Sequence, residues 1–436
     1  MTGKRIKNWI RVVIGILCVT LLSGWGWRRD RGKTKSKVIL RYVFWGDVSE
    51  YRMNQHWIKS FEAKYPNIKI NPIHVPAGQG VASKILTMLA GGTPPDVMYI
   101  WPEAFPEFSR KKILLPLNKF LERDGINIDR WFPQLIEPYK SGDKIYGLPR
   151  SWHPYILYYN KNLFDEAGIP YPDETWTWED VIEYGKKLTR DRNGDGIIDQ
   201  FAIANIPYPI LVWSSGGSFF KDGKPTFDAP GTIEGLQLAR DLIWKYKISP
   251  TPEQLKTVQS AEDMFFTGRV AMFGLGIWAV PRFREIKTFQ WDITIMPKGK
   301  VRRTLLVTAG WGISAKSKHP DEAWEFVKYL SGEEAQTYQM KIWRDPSGLV
   351  DIFQKYLFYE PDKPPRNREV ILKSIKIGKF KPVFVGSQEL WDKISEDMDK
   401  IFFSPKNVDV AEICRSMQKK AEEFMRERKE KEVNEK

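Results

Sequence analysis

The residues able to do chemistry in this chain gather where an apolar run breaks into a turn. Trp45 closes the run Val38–Trp45 and is followed at once by Gly46 and Asp47; Glu103 follows the run Asp96–Trp101 in the same way. In open α/β sheets, ligands bind outside the carboxyl ends of the strands, so both are candidate contacts, with a core role the alternative for Trp45. Trp213 precedes Ser214-Ser215-Gly216-Gly217, Trp311 lies between Gly310 and Gly312, and Trp278 follows Gly274 and Gly276, which permit close approach of backbone and ligand. Indole rings offer flat apolar platforms, while carboxylates, amides and guanidinium groups bind hydroxyls. Together they suit a ligand with apolar C–H faces and a belt of hydroxyls, which is a sugar. Asp96, beside Pro94 and Pro95, is expected to fix a turn, and Trp176, Trp178, Trp244 and Trp324, at helical spacing or caps, to lie in the core.

One segment has the chemistry of a metal loop. Asp191, Asn193, Asp195 and Asp199 place oxygen ligands at positions 1, 3, 5 and 9, Gly196 takes position 6, and Ile197 supplies a backbone carbonyl at position 7. The twelfth position is Ala202 rather than a bidentate Glu. Structural calcium and a hydrogen-bonded turn are both open, and neither is catalytic. No other cofactor is required. The sequence contains no Walker A, GxSxG or HExxH motif, and its four histidines, at 56, 74, 153 and 319, are scattered. Two cysteines, Cys18 and Cys414, exclude a cysteine-built zinc site and predict no structural disulfide in a processed protein.

The formal charge of +14 over 436 residues belongs mostly to one end. Residues 1–37 carry ten Lys and Arg against one Asp, leaving 58 basic against 53 acidic residues in the remainder. Nucleic-acid binders cluster positive charge on one face or helix, so no nucleic-acid partner is expected. The basic end reads as a targeting segment: Lys4, Arg5, Lys7 and Arg11 precede the apolar run Val12–Leu22, and Ser23, Gly24 and Gly26 follow. Eleven apolar residues are few for a bilayer span. An uncleaved anchor, with Trp25 and Trp27 at the interface, is the alternative. Either way the body is expected outside the cytoplasm.

From Lys37 onward, short strands alternate with helices. Strands are expected at Val38–Trp45, Ile68–Ile73, Asp96–Trp101, Tyr155–Asn160 and Leu305–Ser314. Helices are expected at Asn54–Lys64, Val81–Leu89, Val181–Leu188 (capped by Thr177), Ile233–Trp244, Ala261–Thr267 and Pro320–Met340. This alternation argues for an α/β fold with mainly parallel sheet, and the length for two lobes.

Several stretches, in order, resemble the extracellular sugar-binding proteins of ABC importers, the family that includes maltose-binding proteins. They are FEAKYPNIKI (61–70), LAGGTPPDVMYI (89–100), YGLPRSWHPYILYYNKNLFDEAGI (146–169), TWTWEDV (175–181), WSSGGSFF (213–220), FFTGRVAMFGLGIWAVPRF (265–283) and GWGISAKSKHPDEAWEFVKYLSGEEAQ (310–336). The resemblance implies a two-lobed periplasmic-binding-protein-like fold of the class II type, with the ligand cleft between lobes. Lobe I would be 38–150 plus 307–345, and lobe II 151–306 plus 346–436. It also implies a monomer that binds a carbohydrate by hinge closure, partners permease subunits of an ABC transporter, and catalyses nothing. Carried over residue by residue, Glu103 falls where the family has a hydroxyl-binding carboxylate. Trp152, His153 and Tyr155 fall at the first crossing between lobes, Trp311 at the second, and Trp278 at a sugar-stacking aromatic. Arg344 is a further candidate. Family members in single-membrane bacteria commonly carry a lipid on a cysteine after the apolar run, and here LLSG is followed by Trp25. The number of tryptophans, eighteen, leans toward an oligosaccharide. An exported glycoside hydrolase and a binder of a non-sugar solute are the alternatives.

Overall fold

Residues 38–45 are almost continuously β-branched and aromatic, which favours a strand buried on both faces. That strand runs Val38–Gly46 in the structure, a computed structural model that describes residues 37–77 and 79–434. The leader ahead of Lys37, with Cys18, lies outside the described residues. The strand pairs in parallel with Ile68–Pro76 and with Val97–Ile100. Thr304–Ile313 joins antiparallel to Val97–Ile100 and to Leu148–Pro154, and the two-residue strand Gly378–Lys379 completes a six-stranded sheet. Asp96 fixes one corner, accepting from the Arg41 N–H at 2.8 Å and the Ser317 hydroxyl at 2.6 Å.

A second sheet has four strands in the order Trp291–Thr294, Ile156–Asn160, Val270–Leu275 and Phe201–Ala204. Only its last pairing is parallel. Both sheets are therefore mixed, with three of five pairings parallel in the first and one of three in the second, because the chain changes sheets by running straight on. Leu148–Pro154 leads directly into Ile156–Asn160, and the chain returns between Thr294 and Thr304. The two crossings lie side by side: Tyr155 N–H donates to the Leu305 carbonyl at 2.8 Å, and the Thr304 hydroxyl donates to the Tyr155 carbonyl at 2.5 Å.

Two helices depart from the sequence expectation for local reasons. The first runs Val48–Lys64, six residues longer at its start than its apolar stripe predicts. Asp47 caps it by accepting from Glu50 N–H, and a charged Glu50 is buried where the pattern would place an apolar residue. The stretch Pro320–Met340 is two helices, Pro320–Leu330 and Glu333–Lys341. Gly332 is extended between them (φ −89°, ψ 173°), and Glu333 and Glu334 then favour a new helix start. Elsewhere the local signal carries: Thr177 and Asp180 form a reciprocal cap on Trp178–Leu188.

Trp57, Trp311, Trp324 and Phe326 are buried beside the first sheet, and Phe353 of the helix Val350–Tyr356 packs on Trp152 at 4.9 Å. Trp178, Leu211, Phe219, Leu390 and Cys414, a free thiol, are buried in the cluster around the second sheet. Among the described residues no helix is long and apolar enough to cross a membrane.

Candidate functional site

The strand ends of the two sheets enclose a cavity of about 590 Å³. Trp45, at the tip of Val38–Gly46, lines it from the first sheet, with Tyr99 of Val97–Ile100 and His153 of Leu148–Pro154. Tyr155 lines it from the first crossing and Thr308 from the strand Thr304–Ile313. From the second sheet come Leu275 and Trp278, and Glu262 comes from the helix Ala261–Phe266. Trp45, Tyr155 and Trp278 are each half-buried, so part of each ring faces the space. Trp278 is held nearly perpendicular to two neighbours, His153 at 5.0 Å and 77° and Tyr155 at 5.7 Å and 78°. Edge-to-face contacts of this kind fix a ring's orientation.

Gly276 has a role other than the approach of ligand to backbone. A Cβ there would sit 1.9 Å from the Trp278 ring, so the indole folds over its own chain and only glycine leaves room. Gly274 is packed too, under Ile206 and the Asn205 carbonyl. Gly276→Ala is expected to displace the Trp278 ring and weaken ligand binding about tenfold while the protein stays folded. Calorimetry together with near-ultraviolet circular dichroism measures both.

Below the aromatic groups lies a buried ionic network. Arg150 donates to Glu50 at 2.6 Å and to Asp345, His153 Nε2 lies 3.0 Å from Asp345, and Arg344 reaches Asp47 at 3.3 Å and the Trp278 carbonyl at 3.3 Å. Each group has a reason to be there. Glu50 and Asp47 come from one helix start, Arg150 and His153 from one strand whose pairing with Thr304–Ile313 skips Arg150, and Arg344 and Asp345 follow the helix Glu333–Lys341. Burial opposes the charge of Asp345, but Arg150 and Arg344 outweigh it and hold its carboxyl well below the usual range. Burial opposes the Arg150 charge as well, and Asp345 and Glu50 more than compensate. For Glu50 burial prevails over Arg150 and raises its pKa.

His153 is pulled down from its ordinary value, because burial outweighs its bond to Asp345. Since the unfolded chain binds that proton more readily, stability is full above the imidazole range and falls as pH drops below about 6.5. His153→Gln is expected to flatten the slope of stability against pH between about 6.5 and 5, as measured by denaturant titration at each pH.

The network extends to residues that do not touch the cavity. The Trp311 indole N–H donates to the Tyr42 hydroxyl at 3.0 Å, Tyr42 donates to Asn54 at 2.7 Å, and Asn54 donates to Glu50 at 2.7 Å. Trp311 is thus fully buried and braces Glu50 from behind instead of serving as a platform. Trp152 is also a core residue, its N–H bonded to the Ser347 carbonyl at 2.9 Å; alternation along its strand turns it away from His153. Trp213 is buried within the helix Tyr208–Ser214. Glu103 is exposed and lines a smaller pocket with Tyr208, Lys381 and Trp391. Trp45, His153, Tyr155, Trp278 and Arg344 are the candidates brought together. Trp176, Trp178 and Trp324 are buried, and Trp244 is half-buried with its N–H bonded to Phe402.

Sequence reasoning missed Asp47, Glu50, Tyr99, Arg150, Glu262 and Asp345. Arg150 carried a signal: it is the charged residue of Leu148–Pro154, a strand buried at every position.

The segment Asp191–Asp199 closes on itself. Asp191 accepts from the Gly194 and Gly196 N–H groups at 2.7 Å each, Asn193 from Asp195 N–H at 2.9 Å, Asp195 from Ile197 N–H at 2.7 Å, and Asp199 from Arg192 N–H at 3.0 Å. Among the described residues no group of three or more His, Cys, Asp or Glu side chains is placed to hold an ion. Asp191, Asn193, Asp195, Ile197 and Asp199 are thus joined in one hydrogen-bonded turn.

Comparison with known proteins bears on this geometry. A profile of the bacterial extracellular solute-binding proteins matches residues 46–337. The arabinooligosaccharide-binding protein of Halalkalibacterium halodurans is 26% identical over 299 residues, a stretch covering 66% of this chain and 66%, just under two thirds, of that protein. The galactooligosaccharide-binding protein of Bacillus subtilis is 26% identical over 303 residues, 67% of this chain and 68% of that one. An ABC substrate-binding protein from Listeria monocytogenes, solved in complex with cycloalternan, superposes with a TM-score of 0.81 at 25% identity, covering 89% of this chain and 99% of that chain. The chain thus belongs to the bacterial extracellular solute-binding proteins, the non-enzymatic ligand-binding components of ABC transporters.

Proposed function

We propose that this protein captures an oligosaccharide in the cavity between its two sheets and presents it, outside the cytoplasm, to the permease of an ABC importer. The observation that carries the reading is the joining of two half-buried indoles from different sheets, Trp45 and Trp278, above a floor of paired carboxylates and guanidinium groups. The rings suit the C–H faces of sugar units, and the polar groups suit hydroxyls. Relatives named for arabinooligosaccharide and galactooligosaccharide support the ligand class, and the basic leader with its apolar run supports export. Arg344, buried between Asp47 and the Trp278 carbonyl, links the two sides of the cavity, which suits a cleft that closes on its ligand.

The test is a thermal-shift screen of the purified protein against a glycan panel, followed by calorimetry on each hit. Oligosaccharides are expected to raise the melting temperature without release of reducing ends. Shifts from peptides or polyamines with none from glycans would overturn the proposal.

A further inference from the structure

Each guanidinium lining the cavity is already paired with a carboxylate. Arg150 is held between Glu50 and Asp345, Arg282 between Glu262 (3.2 Å) and Asp263, and Arg344 beside Asp47, with Glu50 and Asp345 at 3.7 and 3.9 Å. The lining holds four carboxylates, Asp47, Glu50, Glu262 and Asp345, against these three cations. Exposure decides which of them a ligand meets. The Arg150 and Arg344 side chains are 3% and 7% exposed, whereas Asp47 is 51% and Glu262 29% exposed. Arg282 is 37% exposed, but its fork is spent on Glu262 and Asp263. Asp47 stands beside the first sheet and Glu262 beside the second, so a ligand meets a carboxylate from either side.

We infer that this cavity selects oligosaccharides without negative charge and turns away uronic-acid chains; the inference rests on the oligosaccharide reading above. A neutral sugar donates its hydroxyls to Asp47 and Glu262 as charge-assisted hydrogen bonds. An acidic unit brings like charges together, which is costly across a desolvated interface. It gains Arg150 or Arg344 only by drawing that cation away from the buried Glu50 and Asp345, and Arg282 only in competition with Glu262 and Asp263.

Calorimetry on the full protein tests this with matched tetrasaccharides: galactotetraose and mannotetraose against tetragalacturonate and tetramannuronate. The better neutral chain is expected to bind at least about thirtyfold more tightly than its uronate counterpart. In the double variant Asp47→Asn/Glu262→Gln the neutral affinity falls, and the preference narrows by about tenfold. Asn caps a helix as well as Asp, so the helix Val48–Lys64 keeps its start. Should the double variant fail to fold, added salt applied to the unaltered protein must narrow the same preference. Uronates binding as tightly as neutral chains, or a preference indifferent to salt and to the substitutions, would overturn the inference. If the whole glycan panel of the preceding screen fails while peptides or polyamines bind, the oligosaccharide reading itself falls and this inference falls with it.

Discussion

Replacing Arg150 by methionine is expected to lower the stability of the folded protein by about 3–5 kcal/mol, the largest effect of any single substitution at the site. The guanidinium is 97% shielded from solvent, its side chain being 3% exposed, and it joins two carboxylates that are equally buried. It also lies within 5.5 Å of the Tyr99 ring centroid and 5.7 Å of that of Trp57. Methionine fills much of the volume, so the loss comes from Glu50 and Asp345 left without their closest cation, with Arg344 farther off at 3.7 and 3.9 Å. Two consequences separate this cause from lost packing. Both carboxylates gain affinity for protons in the variant, so the deficit must shrink as pH falls from 7 toward 4. Adding Glu50→Gln must also recover part of the loss. Denaturant titrations of the parent, single and double variants at both pH values measure this, and a deficit that is constant with pH would point to packing instead.

Trp278→Ala is expected to weaken oligosaccharide binding by about thirtyfold or more, within the range of a truncated aromatic hot spot. Its ring is half-buried, packs on His153 and Tyr155, and lies over Gly276, so it is oriented before any ligand arrives. A preorganised platform loses little freedom on binding. Trp278→Phe, which keeps an apolar ring, is expected to restore part of the affinity. Calorimetry with the best glycan of the screen reads both variants, with the melting temperature as control for folding. Unchanged affinity in Trp278→Ala would remove this ring from the binding surface.

Much of the fold was legible because its signals are local. The strand Val38–Gly46 is a continuous apolar run, the Thr177 cap precedes an amphipathic stretch, and the Gly92–Pro94 break follows the helix Val81–Ala90. The helix Val48–Lys64 was read short at its start for a tertiary reason: Glu50 is buried only because Arg150, one hundred residues away, neutralises it. The same limit governs the site. Tryptophan at a turn is visible in sequence, but its direction is not. Trp152 and His153 are adjacent in one strand and point to opposite sides, one to the core and one to the cavity. Trp311, flanked by glycines, looks exposed in sequence; those glycines instead admit neighbours, with Leu114 and Tyr139 packed where Cβ atoms would be.

By itself the sequence determined the class of molecule. The ordered segments from 61 to 336 specify the family and its two-sheet design, the scattered histidines and missing motifs argue against common catalytic chemistries, and tryptophans at strand ends suggest a ligand with flat apolar faces. These readings survive without coordinates because each depends on residue type and spacing along the chain. Only the tertiary structure decided which tryptophans meet the cavity and which brace it, and that Asp47, Glu50, Arg150, Arg344 and Asp345 form one network. Those five residues come from three stretches nearly three hundred positions apart, and sequence spacing has no term for them. Their charges are tolerable in the interior only in each other's presence, so their pairing is a property of the folded chain.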